Sequence, residues 1–178
     1  MDQKIEKNKP SLKNSRLLRY TLYSLIIAVG IFLDQLTKWL SVKYLTKVST
    51  VPLIEGVLHL TYVENRGAAF GMLADNRWVF IIVSSVTILG LAVYLYLDKN
   101  KNLLMTVSIS MIVSGGIGNM IDRLALGYVV DFIDFRLINF AVFNGADSFV
   151  CVGAGMLILA LVLDIIKESK EQKAKKSK

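Results

Sequence analysis

Four long apolar stretches constrain this chain more than anything else in it. Residues 78–97 (WVFIIVSSVTILGLAVYLYL) and 103–121 carry no charge at all, and residues 148–166 carry only Asp164, close to their end. Residues 20–42 open with the uncharged run YTLYSLIIAVGIFL and continue through Asp34 and Lys38, which stand one helical turn apart and can pair on one face. A helix needs about 20 residues to cross the hydrocarbon layer, so each stretch predicts a membrane-spanning helix. Of the 178 residues, 54% are apolar, more than a soluble domain of this size can cover with polar surface. A basic segment ahead of the first run suggests a signal peptide. No small-x-small cleavage site follows it, only DQLTKWL, so an uncleaved span is expected.

The connecting segments differ in kind. Residues 43–77 contain STVPLIEGVLHLTYVEN, rich in Val, Leu, Thr and Tyr with Pro52 and Gly56 as punctuation, which predicts short strands. NRGAAFGML then predicts a loop with a helical turn or two. Residues 122–147 again alternate apolar and polar residues with β-branched and aromatic enrichment, which favours strands. DKNKN at 98–102 is a tight polar turn. The expected architecture is one integral membrane domain, mainly α, with four transmembrane helices and strands in two loops on one side.

Charge orients this arrangement. Lys and Arg number fourteen in residues 1–19, 98–102 and 167–178, against six in residues 43–77 and 122–147. Positive residues stay on the cytoplasmic side. Both termini are therefore expected there, with residues 1–19 a mostly disordered basic tail and residues 167–178 a lysine-rich one. Residues 43–77 and 122–147 then face outward, with Trp39 and Trp78 at the outer boundary. The basic tails abut apolar runs, which points to anionic lipid head groups rather than nucleic acid. A single Cys151 excludes an internal disulfide and is expected to pack as a small apolar residue. A single His59 excludes a paired-histidine zinc site and is expected at the surface; no metal or cofactor is implied.

On this map the polar residues of all four spans meet at one membrane face: Asp34 and Lys38, then Asn65, Arg66 and Gly67, then Asn119, Asp122 and Arg123, then Asn144 and Asp147. Ionisable groups at a lipid boundary are costly and point to function. Asp34 with Lys38 also reads as an ion pair that holds the helices together. Asp122, at the end of GGIGNMIDR, and Asp147, in FNGADS, lie at facing ends of consecutive spans. Two carboxyls held close can share one proton and act as general acid and general base. Each also reads as a plain helix-end residue, Asp147 as a cap of the fourth helix. Asp131 and Asp134 are expected to be solvated or to support the loop. Two other functions fit parts of the pattern. A Ser/Lys peptidase would use Lys38 with Ser41, Ser148 or Ser114. A proton-coupled exporter would want an acid near the bilayer midplane.

Five ordered blocks, DQLTK at 34–38, NRGAAFG at 65–71, GGIGNMIDR at 115–123, VVDFIDF at 129–135 and FNGADS at 143–148, resemble those of the lipoprotein signal peptidase (signal peptidase II) family, over residues 20–166. The resemblance implies an aspartic endopeptidase of the bacterial plasma membrane that cuts a diacylglyceryl-modified prolipoprotein before its lipidated cysteine. It implies Asp122 and Asp147 as the catalytic dyad, with Asn65, Gly67, Asn119, Arg123 and Asn144 shaping the site and Asp34 and Lys38 supporting it. It also implies a small extracytoplasmic sheet, the β-cradle, a short interfacial helix over the site, a monomer, membrane lipids as partners, and sensitivity to globomycin-type peptides.

Overall fold

A computed structural model describes residues 12–67, 77–97 and 102–176, with only the backbone given for residues 12–16. Four helices, α1 (Leu12–Leu45), α2 (Arg77–Leu97), α3 (Leu103–Ala125) and α4 (Gly145–Lys176), are each long and apolar enough to cross a membrane. Strands β1 (Thr50–Ile54), β2 (Leu58–Asn65) and β3 (Val129–Phe135) form an antiparallel sheet in the order β1-β2-β3. β1 leaves the end of α1 and β3 leaves the end of α3, so the sheet sits at one end of the helix bundle. The residues expected to form the covering turn, 68–76, lie outside the described residues, as do residues 98–101 of the polar turn.

Helix α3 is the centre of the bundle and packs on α1, α2 and α4. Its close approach to α4 depends on small residues. A Cβ on Gly115 would run into the Ala146 carbonyl oxygen, and one on Gly153 would stand 2.8 Å from the Ser108 carbonyl oxygen. Small residues of this kind let helix backbones approach closely where lipid supplies no hydrophobic drive for association. Further from the sheet, Tyr23, Leu95, Met105, Ile109, Val113 and Ala160 make the buried apolar cluster.

Three expectations are corrected. Helix α1 begins at Leu12, so residues 12–19 continue the span instead of forming a disordered tail. Leu, Lys and Arg are good helix formers, and extending an existing helix is easy. Cys151 is exposed rather than packed, because an apolar run in a membrane helix also supplies the face turned to lipid. His59 is buried, 3% exposed, on the central strand, where its Nε2 accepts from the Gly56 amide at 3.2 Å. Of the two roles expected for Asp131, the supporting one holds: it is 1% exposed and ties Asn65 to Asn144. Asp134 does support the sheet: it accepts from Thr61 Oγ1 at 2.7 Å and Arg136 Nε at 2.9 Å. Burial works against its charge, yet Thr61 and Arg136 outweigh burial and hold this carboxyl below its ordinary range. Asp164 receives the Asn102 amide at 3.2 Å; Asn102 in turn caps α3 by accepting from the Met105 amide at 2.7 Å.

Candidate active site

The sheet end of the bundle holds a continuous polar cluster. Lys38 is its hub, 3% exposed, with each ammonium hydrogen accounted for. Its Nζ lies 2.9 Å from Asp34 Oδ2, 3.0 Å from Asp122 Oδ2 and 2.9 Å from Asn119 Oδ1. The Asp34–Lys38 pair read from the sequence is therefore present, and it extends to α3. A buried charge is tolerated only when it is paired and fully hydrogen-bonded, and this tripod meets that condition.

Asp34 does a second task. Its Oδ1 accepts from the Ala146 amide at 2.8 Å, which satisfies one of the free N–H groups at the start of α4. The close approach this requires is made by Gly118, where a Cβ would stand 2.5 Å from Asp34 Oδ2.

Asp122, in the last turn of α3, is surrounded by donors. Besides Lys38, Gln35 Nε2 donates to its Oδ1 at 3.0 Å and the Val130 amide donates to its Oδ2 at 3.0 Å. The start of β3 thus pins the same carboxyl that the first span holds.

Asp147 lies in the first turn of α4 and closes a reciprocal cap. Its backbone N–H donates to Asn144 Oδ1 at 2.9 Å, while its Oδ2 accepts from the Asn144 N–H at 3.2 Å. This is the capping-box arrangement, which satisfies two orphan donors at once. The cap of α4 is therefore Asn144 and not Asp147, which sits inside the first turn and closes the cap from there. The other oxygen of Asp147, Oδ1, accepts from Asn119 Nδ2 at 2.7 Å. Asn119 therefore stands between the acids, taking Lys38 on its oxygen and giving its amide to Asp147.

The remaining expected residues fall around this core. Asn144 donates to Asn119 Oδ1 at 3.1 Å and to Asp131 Oδ1 at 2.6 Å. Asn65 donates to Asp131 Oδ2 at 2.9 Å and accepts from the Gly67 amide at 3.0 Å. Arg123 donates to the Gly67 carbonyl at 3.4 Å and lies over the Phe80 ring, 4.9 Å from its centre. Arg66 turns away to Glu64, 3.2 Å distant and exposed.

One member of the cluster, Gln35, was not singled out from the sequence, and another, Asp131, was expected only to be solvated or to support the loop. Gln35 joins Asp122 to the Gly118 carbonyl. Asp131 joins Asn65 to Asn144. The alternation in VVDFIDF could not single out Asp131, because Val129 and Ile133 on its face are matched by Val130 and Phe132 beside Asp134 on the other, and both faces are covered.

The serine candidates are occupied otherwise. Ser41 donates to the Thr37 carbonyl at 2.8 Å and Ser148 to the Asn144 carbonyl at 3.0 Å. Ser114 Oγ is buried against the position of Gly30, with no hydrogen-bond partner among the described residues. Lys38, bound to two carboxylates, faces none of the three.

A family model described as Signal peptidase (SPase) II matches residues 26–163. The chain belongs to this family. The lipoprotein signal peptidase of Caldanaerobacter subterraneus subsp. tengcongensis is 52% identical over 132 residues, 74% of this chain and 90% of that protein. That of Clostridioides difficile is 51% identical over 140 residues, 78% of this chain and 93% of that protein. A solved structure described as a bacterial membrane enzyme superposes with a TM-score of 0.74 at 32% identity, covering 82% of this chain and 90% of its own. A second of the same description gives 0.72 at 34% identity, over 79% and 92%. The chain is a multi-pass bacterial membrane peptidase of lipoprotein processing, and its family removes signal peptides from lipoproteins.

Proposed function

We propose that this peptidase is of the aspartic type, with Asp122 and Asp147 as its dyad, and that it cuts a prolipoprotein just before the diacylglyceryl-modified cysteine. The observation that carries this reading is that Asn119 bonds Asp147 directly and reaches Asp122 through Lys38. In the reaction, one carboxylate takes a proton from water as that water attacks the scissile carbonyl carbon. The protonated partner gives its proton to the carbonyl oxygen. Collapse of the tetrahedral intermediate breaks the C–N bond, and the departing amine of the lipidated cysteine takes up a proton from the dyad. In this reading Arg123 and Asn119 also hold the substrate backbone. The step consumes one water and needs side-chain carboxyls only.

A site at the end of a helix bundle suits this substrate. A signal helix and acyl chains can enter sideways from the lipid, while water reaches the acids from the sheet end. Incubation with a diacylated prolipoprotein should release its signal peptide, and the unlipidated form should be cut at least about ten-fold more slowly, since burying even two methylenes contributes more than tenfold in affinity. Equal rates on both forms count against lipid recognition.

The reading also places both termini in the cytoplasm and the sheet outside. A reporter joined after residue 178 should be active only in its cytoplasmic form; an exported signal overturns that orientation.

A further inference from the structure

Strands β2 and β3 pair from Asn65 and Val129 at the site to Leu58 and Phe135 at the far tip of the sheet. That tip carries an apolar patch used by neither the helix bundle nor the site. We propose that the tip is a lipid anchor: the sheet lies along the membrane surface and sinks its tip into the head-group boundary of the leaflet that holds the site. The anchor requires only that the bundle spans the bilayer, whichever acids carry the cleavage.

Two segments build the patch. The β1–β2 hairpin brings Leu53 and Ile54, each 56% exposed, and the turn after β3 brings Leu137 and Ile138, 65% and 66% exposed. The Leu137 N–H donates to the Val57 carbonyl at 3.4 Å, which lays the turn beside the hairpin. The register fixes which way the hairpin faces. Thr50 pairs with Thr61, Pro52 with His59, and His59 with Asp134, so these side chains share one face of the sheet. That face is polar. Thr50 Oγ1 lies 2.9 Å from Thr61 Oγ1, Thr61 donates to Asp134, and Arg136 donates to both Asp134 and Thr50. Simple alternation would put Ile54 on this face as well. A bulge between Pro52 and Ile54 adds one residue, so Ile54 pairs with Leu58, which in turn pairs with Phe135. Ile54 is thereby turned to the opposite, apolar face.

The surroundings favour lipid as the occupant. Helix α1 ends among exposed aromatic rings, with Lys43 4.8 Å from the centre of Trp39 and 5.2 Å from that of Tyr44. Such rings mark the head-group level. Val48, 54% exposed, continues the apolar surface from there toward β1. Lys43 and Lys47 put positive charge at the root of the sheet, where anionic head groups lie. An upright sheet would hold its tip about 17 Å out in water, the length of the five residues of β1 at roughly 3.3 Å each, with its large apolar side chains uncovered. Lying flat, the same tip reaches sideways at the level of those rings. Fixed at the bundle and at the tip, the sheet holds Asn65 and Val129 at one height over the lipid, where a membrane-embedded signal helix ends.

The test is the depth of a nitroxide label on the full-length protein in vesicles of phosphatidylethanolamine and phosphatidylglycerol. Cys151→Ser removes the one native thiol. Ile138→Cys and, separately, Leu53→Cys then carry the label, and Glu168→Cys, on the exposed end of α4, gives the aqueous reference. The ratio of collisions with dissolved oxygen to collisions with an aqueous nickel complex should exceed the reference several-fold. Both labels should then lie about 5–10 Å below the phosphates, the depth of interfacial segments. Two positions on separate segments keep the result decisive if one variant fails to fold. Labels as open to the nickel complex as Glu168→Cys overturn the proposal. So do labels shielded from both reagents, or broadened by a second label until unlabelled protein is added, because protein then covers the patch, in the latter case another copy of the chain. Depth is read without turnover, so the anchor stands or falls separately from the assignment of the catalytic acids.

Discussion

Asp147→Asn and Asp122→Asn are each expected to leave a folded protein whose cleavage rate has fallen about 10²–10⁴-fold, the usual contribution of one general acid or base. The structure indicates why folding should survive. At Asp122, the single oxygen of an asparagine can keep Lys38 and the Val130 amide, both now on Oδ2. The new amide then faces the Gln35 amide, which loses this bond but keeps the Gly118 carbonyl. At Asp147, an asparagine can keep Asn119 or the Asn144 backbone, but not both. The loss of one such bond costs about 1 kcal/mol, which a helical bundle tolerates. The two effects are thus separable: thermal unfolding in detergent should shift slightly, while single-turnover cleavage should nearly vanish. Near-normal turnover in either variant would remove that residue from the mechanism.

What could be read in the sequence follows from which physical signal carries each feature. The four spans and the strands were legible because hydropathy and period are local. The ends of the helices were not. Hydropathy marks where lipid begins and ends, whereas α1 reaches back to Leu12 and α4 runs on to Lys176 through residues that are polar but helix-forming. The Asp34–Lys38 pair was legible as an i,i+4 spacing. That Lys38 also reaches Asn119 and Asp122, more than eighty residues further on, is a tertiary fact with no local trace.

The misread residues share one cause. His59 and Cys151 were assigned by the habit that polar means outside and apolar means inside. In the small sheet, β3 is enclosed along almost its whole length, so Asp131 is covered whatever its polarity. Against lipid the habit reverses, and Cys151 is exposed because it is apolar enough to be so. The glycines follow the same logic. Gly118 was visible as part of GGIGNMIDR, but its purpose, to make room for Asp34 beside α4, appears only when three helices are placed together.

Lys38→Met is expected to be the most destabilising single change in the cluster. Removing one partner of a buried ion pair typically costs about 3–5 kcal/mol, because it leaves charge without compensation. Here two carboxylates, on Asp34 and Asp122, lose the same cation, and Asn119 loses the donor that orients it toward Asp147. The loss should therefore appear both as a lower unfolding temperature and as lost cleavage. Lys38→Arg should rescue charge but not function, since a planar guanidinium cannot supply three donors diverging from one nitrogen. Adding Asp34→Asn to Lys38→Met should recover part of the stability: the asparagine oxygen can still accept from the Ala146 amide, and one uncompensated charge is gone. Activity should stay low in that double variant, because Asp122 and Asn119 remain without their cation. A Lys38→Met protein that unfolds at the wild-type temperature would mean that the tripod is not what holds α1 against α3 and α4. A double variant no more stable than Lys38→Met would mean that Asp34 is not the carboxylate left exposed to the loss.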